Sequence, residues 1–484
     1  MEPGLAIRPI HDTDSTMTQF EPLTPDSLSR LRELLGDDGV LTDPVALSAY
    51  GVDETEDVDF RPEAIALPET KEQVAAVLGL AGEARFAVTP RGGGTGLSGG
   101  ALPVYGGLSL SLERLNRIRF IDEVNLTVEA EAGLITADLQ RAVEDLGLFY
   151  PPDPASHDSC QLGGNIAEDA AGPRSCKYGT TRNWVLGLEA VLSNGTVIRT
   201  GSATRKNAAG YNLTQLLIGS EGTLAVVTAA LLKLTNMPRL RLTLAAPFSS
   251  LQGAARAVSR LFVAGVDPAA CELMEARALE LVARLTPIPD QLANAAALLL
   301  LELDGDDSDA LLERAAKASD IFDEQEQVEV IIAQESSDQR RLWEIREKIA
   351  IAVREYSVYK EADTVVPRSE LANLVKKARR VAADRQLEAV CYGHAGDGNL
   401  HINLLRGDLA AATWKRNRDA AEAELFEWVT SVGGSVTGEH GIGWSQRRYL
   451  PLAAPPESIE VMRALKSAFD PAGILNPGKI FADE

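Results

Sequence analysis

The chain is predicted to fold as an α+β protein in two principal parts. Its 484 residues are enough to bury two or three separate cores. Between residues 61 and 112, short apolar strands alternate with one helix and break into a glycine-rich run, an α/β texture. From about residue 238 to 410 the texture changes. Apolar strands are there separated by long amphipathic helices, which fits an antiparallel sheet flanked by helices.

The elements follow in order. Leu28, Leu31, Leu34 and Leu35 recur at helical spacing and predict helix over 24–50. Ala64–Leu67 reads as a strand, and Thr70 as the cap of a helix over 71–84. A second strand, Arg85–Thr89, leads into the glycine run; 107–112 and Leu126–Ala132 are two more. In the second part, strands are expected at Leu240–Ala246, Ala295–Leu303, Val328–Ala333 and Ala389–Tyr392. Helices are expected at Arg256–Val263, Asp307–Gln325 and Ser369–Gln386. The implied organisation is an N-terminal arm and helix (1–60), a ligand-binding domain (61–236), a substrate or cap domain (237–454) and a returning C-terminal segment (455–484).

Composition excludes some functions. Seventy acidic against 47 basic residues give a net charge of −23, which a nucleic-acid backbone would repel. Ligand phosphates must then be held by backbone amides and a few placed cations. The four cysteines form no CxxC pair, which fits a reducing cytoplasm and disfavours an iron–sulfur cluster. No run is long enough to span a bilayer, and the first residues lack the order of a signal peptide. A cytoplasmic location is expected, with membrane contact only through a partner.

Six glycines fall within the eleven residues Pro90–Gly100. Such a run lets backbone N–H groups converge on an anion without a Cβ in the way, and Arg91 adds a cation. It is neither a Rossmann fingerprint nor a Walker loop. Alone it is equally consistent with a tight turn. Two further loops of small residues lie beside apolar strands: Pro151–Thr181, with Gly163-Gly164-Asn165 inside it, and Gly219–Leu224. Three such loops can line one long extended ligand, and FAD is such a ligand.

Over residues 62–236 this ordered set resembles the FAD-binding domain of the vanillyl-alcohol oxidase and p-cresol methylhydroxylase superfamily. The resemblance implies a two-subdomain FAD-binding domain and a cap with an antiparallel sheet. It gives Pro90, Arg91, Gly92, Gly93, Gly94, Thr95, Gly96 and Ser98, with Gly163, Gly164 and Asn165, to the pyrophosphate. Glu221, Gly222, Val226 and Val227 would border the adenine half. Pro152, Asp153, Ala167, Gly172, Tyr178, Gly179 and Thr181 complete the implied cofactor set. Some members bond flavin covalently through a histidine in the glycine loop; Thr95 and its neighbours supply none, which predicts non-covalent FAD.

Histidine is scarce, with five in the chain, and three of them sit in two tight motifs. These are Gly393-His394-Ala395-Gly396-Asp397-Gly398-Asn399-Leu400-His401-Ile402-Asn403 and Gly438-Glu439-His440-Gly441. Two histidines bracketing a Gly-Asp-Gly turn, with a Glu-His pair elsewhere, suit a divalent ion held by two imidazoles and a carboxylate. Zinc is expected first, with manganese and cobalt as alternatives. Together with Asp470–Lys479, these motifs resemble the FAD-linked D-2-hydroxy-acid dehydrogenases, which include D-lactate dehydrogenases, glycolate oxidase subunits and D-2-hydroxyglutarate dehydrogenase. The resemblance implies that His394, His401 and Glu439 bind metal. It makes His440 the catalytic base, Asn403 a substrate contact and Asn476 a flavin contact.

The substrate carboxylate needs a cation. Arg346 and Lys360 are the candidates, and both match positions of the resembling family; for Lys360 a solvated charge is an equal alternative. Ala350 stands where the hydroxyglutarate enzymes carry a threonine, so D-lactate or glycolate is expected ahead of D-2-hydroxyglutarate. Electrons would pass to a quinone, an electron-transfer flavoprotein or a cytochrome, and a homodimer is compatible. The alternatives are a non-redox flavin transferase of the alkylglycerone-phosphate synthase type, and a subunit of a glycolate oxidase complex.

Overall fold

The computed structural model describes residues 20–56, 58–325 and 329–482. The arm at 1–19 and the start of the strand expected at Val328 lie outside the described residues.

Helix formation begins as predicted but is interrupted. Pro25–Leu35 is helical with Thr24 as its cap, and Gly36, at φ 81°, ends it. Asp43 caps a second, short helix, Pro44–Ala49, where proline sits at the first helical positions. The expected continuous helix over 24–50 is therefore two helices, because Gly36 and Pro44 punctuate it. Thr70 caps Lys71–Ala84 as expected, its side chain accepting from the Gln73 amide.

Two small sheets build the first part. Val40–Leu41, Ala64–Ala66, Leu108–Ser111 and Val88–Arg91 make a four-stranded sheet with a parallel core. Its last strand starts later than expected, since Arg85 takes a left-handed conformation as the preceding helix's cap. The strand then runs through Pro90 and Arg91 straight into the glycine loop. An antiparallel sheet of five strands follows, ordered Ile118–Asp122, Thr127–Glu131, Val226–Lys233, Val185–Val191 and Val197–Gly201.

The second part is a seven-stranded antiparallel sheet. Its order is Ile331–Ala333, Leu240–Phe248, Ala297–Gly305, Ala270–Glu275, Glu388–Gly393, Asn399–Leu405 and Tyr359–Val365. Alternation gives each strand two faces. One face carries Leu273, Leu299, Cys391, Ile402 and Ala362 into a core shared with helices Leu251–Val263, Ser308–Asp323, Leu371–Ala383 and Ala411–Ser431. Opposite it, Met274, Leu300, Val390 and Tyr392 pack against helices Ala276–Val282, Ser336–Glu347 and Ile349–Tyr356. The C-terminal segment returns to the first part: Leu475 bridges Val88, and the Asn476 amide donates to the Val88 carbonyl. No helix among the described residues is long and apolar enough to cross a membrane.

Candidate active site

The glycine loop, the Gly163–Ala167 region and the Glu221–Val227 region line a single cleft. A concave site lined by three separate chain segments suits an extended ligand. Of the predicted cofactor set, Pro90, Arg91, Gly92, Gly93, Gly94, Thr95, Gly96, Gly163, Gly164, Asn165, Ala167, Glu221, Gly222, Val226, Val227 and Asn476 line it. The residues present fit FAD. Among the described residues Arg91 Nη1 is buried without a hydrogen-bond partner, an open donor beside the glycine amides.

Other predicted cofactor residues are not brought to the cleft wall. Ser98 is buried, and its carbonyl accepts from the amides of Trp444 and Ser445. Asp153 accepts from the Arg174 amide and pairs with its guanidinium at 3.5 Å, while the Pro152 carbonyl accepts from Gln140. Gly172 packs against the Asp153 backbone so closely that a Cβ would collide with it. The Tyr178 hydroxyl donates to Asp304 of the seven-stranded sheet. Gly179 and Thr181 sit in the adjoining turn, where the Thr181 hydroxyl donates to the Ala170 carbonyl. Tyr178 thereby ties this stretch to the seven-stranded sheet, while Pro152, Asp153, Gly172 and Thr181 make contacts within the first part.

At one end of the cleft stand Glu439 and His440. The hairpin Glu388–Gly393/Asn399–Leu405 carries His394 just past its first strand and His401 on its second, so the Gly-Asp-Gly turn folds back as expected. Glu439 Oε1 lies 3.3 Å from His394 Nε2 and 3.5 Å from His401 Nε2. Ligands held about 2.1 Å from an ion in tetrahedral geometry stand about 3.4 Å apart, so the three donors fit zinc or a similar ion. Glu361, His401 and His440 form a second group of donor atoms within reach of one another.

Buried carboxylates hold this cluster. Glu272 accepts from Arg346 Nε at 2.6 Å and faces His394 Nδ1 at 2.7 Å. Burial would raise the Glu272 carboxyl, but His394 and Arg346 outweigh it and hold it at about 2. Asp363 Oδ2 accepts from the Thr437 hydroxyl and from the amides of Gly438, Glu439 and His440, at 2.7 to 3.1 Å. The far end of the same loop is fixed from the first part, where Glu221 accepts from the Ile442 and Gly443 amides at 2.8 and 2.6 Å. Glu221, expected only to border the adenine half, thus anchors the loop that carries His440. Burial pushes it up to about 7 against those two amides. Its carbonyl accepts from Asn476, which also bonds the Gly100 carbonyl.

Burial opposes charge on His394 and His440 too. Glu272 and Glu439 overcome it at His394; Asp363, Glu361 and Glu439 overcome it at His440, so both are raised. Asn403 is fully buried on the same sheet face, and neither its amide oxygen nor its nitrogen has a hydrogen-bond partner among the described residues. A buried amide of this kind is open to a ligand or an ordered water.

Lys360 is not brought to the cluster. Alternation along Tyr359–Val365 turns Glu361 and Asp363 toward the histidines and Lys360 away. Its ammonium pairs with Glu56 at 3.1 Å. Sequence reasoning missed Glu272, Glu361 and Asp363. Their signal was acids spaced inside otherwise apolar strands, as in Cys271-Glu272-Leu273-Met274 and Glu361-Ala362-Asp363.

Comparison with known proteins agrees with this architecture. Residues 62–201 match the FAD binding domain family, and residues 237–480 match the C-terminal domain of FAD linked oxidases. The glycolate oxidase subunit GlcD of Bacillus subtilis is 39% identical over 470 residues, 96% of this chain and 98% of that protein. A D-lactate dehydrogenase of Anaerostipes hadrus is 32% identical over 475 residues, covering 96% of this chain and 98% of the relative. Among solved structures, substrate-bound p-cresol methylhydroxylase superposes with a TM-score of 0.80 at 20% identity, over 95% of this chain and 96% of that one. The chain therefore belongs to the FAD-linked D-2-hydroxy-acid dehydrogenase family, with the p-cresol methylhydroxylase-type fold, and is an FAD-dependent oxidoreductase.

Proposed function

We propose that the chain oxidises a small D-2-hydroxy monocarboxylic acid, D-lactate or glycolate ahead of D-2-hydroxyglutarate, to the 2-oxo acid. The observation that carries this reading is the meeting of Glu439 and His440 with the glycine-lined cleft in one cavity. His394, His401 and Glu439 would hold a divalent ion, zinc first. When bound, FAD would supply the hydride acceptor, and the ion would lower the pKa of the substrate hydroxyl.

The chain's own residues do the rest. Arg346, held by Glu272 and stacked 5.0 Å over the Tyr392 ring, orients the substrate carboxylate. Asn403 offers a donor and an acceptor to the substrate. His440 takes the hydroxyl proton as the carbonyl forms and the Cα hydride leaves. Asp363 and Glu221 fix the His440 loop from its two ends. Preference for a monocarboxylate is supported by Ala350, which offers no side-chain donor to a second carboxylate beside Arg346.

A steady-state screen of D- and L-hydroxy acids with an artificial dye, with and without chelator, tests the proposal. Turnover of D-lactate or glycolate that falls on chelation and returns with zinc is expected. Chelator-insensitive turnover would remove the ion from the mechanism, and preference for D-2-hydroxyglutarate would overturn the substrate assignment. Because one relative is described as a subunit, dye-linked turnover by the isolated chain also decides whether the chain acts alone.

A further inference from the structure

Three acids on the strands of the seven-stranded sheet face the histidine cluster, and two of them are already engaged. Glu272 is bound to Arg346 and His394. Asp363 accepts four hydrogen bonds from the 437–440 loop on one oxygen and one from Asn399 on the other. Asp363 also stands 3.9 Å from the Nδ1 atoms of both His401 and His440, but Glu361 is nearer and carries no such set of hydrogen bonds. The Glu361 side chain is 13% exposed, and its Oε1 faces two imidazoles at once, His401 Nδ1 at 3.4 Å and His440 Nδ1 at 3.7 Å. The two rings lie nearly parallel, 15° apart with centroids at 5.4 Å, so their Nδ1 edges present together to this carboxylate. Their Nε2 atoms lie on the other side, 3.5 and 3.8 Å from Glu439 Oε1.

We infer that Glu361 is a positioning residue that orients both His401 and His440 through their Nδ1 atoms. An Nδ1–H directed at Glu361 leaves the Nε2 lone pair of His401 for the ion and that of His440 for the substrate proton. One carboxylate thereby sets the tautomer of a metal ligand and of the base together, linking ion affinity to catalysis. The separations exceed hydrogen-bond length, as catalytic contacts often do before substrate arrives. Sheet register supplies the placement. Glu361 stands opposite Asn403, and Asp363 opposite His401, so the Glu361 side chain can reach only this face.

The inference rests on the function proposed above, and its test separates the two. Glu361→Ala and Glu361→Gln are made in the full chain carrying FAD, with the flavin spectrum as the check on folding. Zinc affinity is measured by competition with a chromophoric chelator, and kcat and KM with a D-2-hydroxy acid. Loss of an outer carboxylate partner costs about 10–100-fold in metal affinity or activity. Glu361→Ala is expected to lose roughly that much in both zinc affinity and kcat, with KM changed less than about threefold. Where Glu361→Ala holds no flavin, Glu361→Gln decides: its neutral amide oxygen is a weaker acceptor than the carboxylate for both Nδ1–H groups, so roughly tenfold weaker zinc binding is expected. Unchanged zinc affinity in the folded variant overturns the inference. So does a wild-type chain that binds two ions against one in the variant, which would make Glu361 a ligand of a second ion. A wild-type chain that binds zinc and is reduced by substrate, beside an unaffected variant, sinks this inference alone. A wild-type chain that binds no ion sinks the inference and removes the ion from the proposed mechanism as well.

Discussion

The cofactor cleft and the histidine cluster adjoin, yet they are made of different material. Cleft walls come from backbone and small residues in loops between two small sheets, with Arg91 as the cation in the glycine loop. The cluster comes from long side chains on one face of the seven-stranded sheet and on the 437–443 loop, held by carboxylates with engaged oxygens. Backbone-built sites tolerate side-chain change and fail on steric change. Side-chain-built sites do the reverse. The 437–443 loop joins them, with one anchor in each part: Asp363 from the cap sheet and Glu221 from the cofactor cleft.

The contrast is sharpest at His440. His440→Ala should keep bound FAD and its visible spectrum but lose about 10²–10⁴-fold in kcat, the usual worth of a general base. Stopped-flow reduction measures this, and wild-type reduction would assign the base elsewhere. Glu439→Gln should next lose zinc in metal analysis and roughly 10–100-fold or more in turnover, again with flavin retained. Flavin loss in either variant would blur the division between the two regions.

Steric changes should produce the opposite pattern. A Cβ on Gly93 would run into the Ser159 carbonyl, whereas one on Gly164 meets nothing within 4 Å although Gly164 lines the cleft. Gly93→Ala is expected to lower thermal stability. Gly164→Ala should leave stability unchanged and weaken FAD binding, read by fluorescence titration, while zinc affinity stays at the wild-type value. Equal FAD affinity in Gly164→Ala would place the ligand away from that wall.

The smallest effect is expected at the carboxylates between the two regions. Burial, with Glu221 and Asp53 nearby, holds Glu168 well above the usual carboxylate range. Glu221 is raised as well, to about 7. A raised acid favours the fold while protonated; that contribution is complete below the unfolded value and is lost as pH rises from there toward the raised folded one. Glu168→Gln should therefore melt a few degrees above wild type near pH 8 and together with it near pH 5. Coincident melting at both pH values would remove the buried proton from the account.

Much of this was legible in the sequence because each region leaves a different trace. Six glycines in eleven residues mark a backbone cradle directly, and the two tight motifs mark His394, His401 and Glu439 as donors that the fold brings together. The supports leave little trace. Glu272, Glu361 and Asp363 sit in strands far from the motifs they serve, and only the sheet register brings them together. Lys360, matched by resemblance with a solvated charge as the equal alternative, pairs with Glu56 on the face of its strand opposite Glu361 and Asp363, a side the motif alone does not reveal. Pro152, Asp153, Gly172, Tyr178, Gly179 and Thr181 lie among the cleft loops in sequence, but the cleft is lined by other residues, and the Tyr178 hydroxyl bonds Asp304 of the seven-stranded sheet instead.

Anaerobic mixing of the FAD-loaded chain with D-lactate and with glycolate, followed through the visible flavin absorbance, tests the central claim most directly. Rapid bleaching by at least one of them, slowed by prior chelation and restored by zinc, is the predicted result. An oxidised spectrum that no D-2-hydroxy acid changes would contradict it.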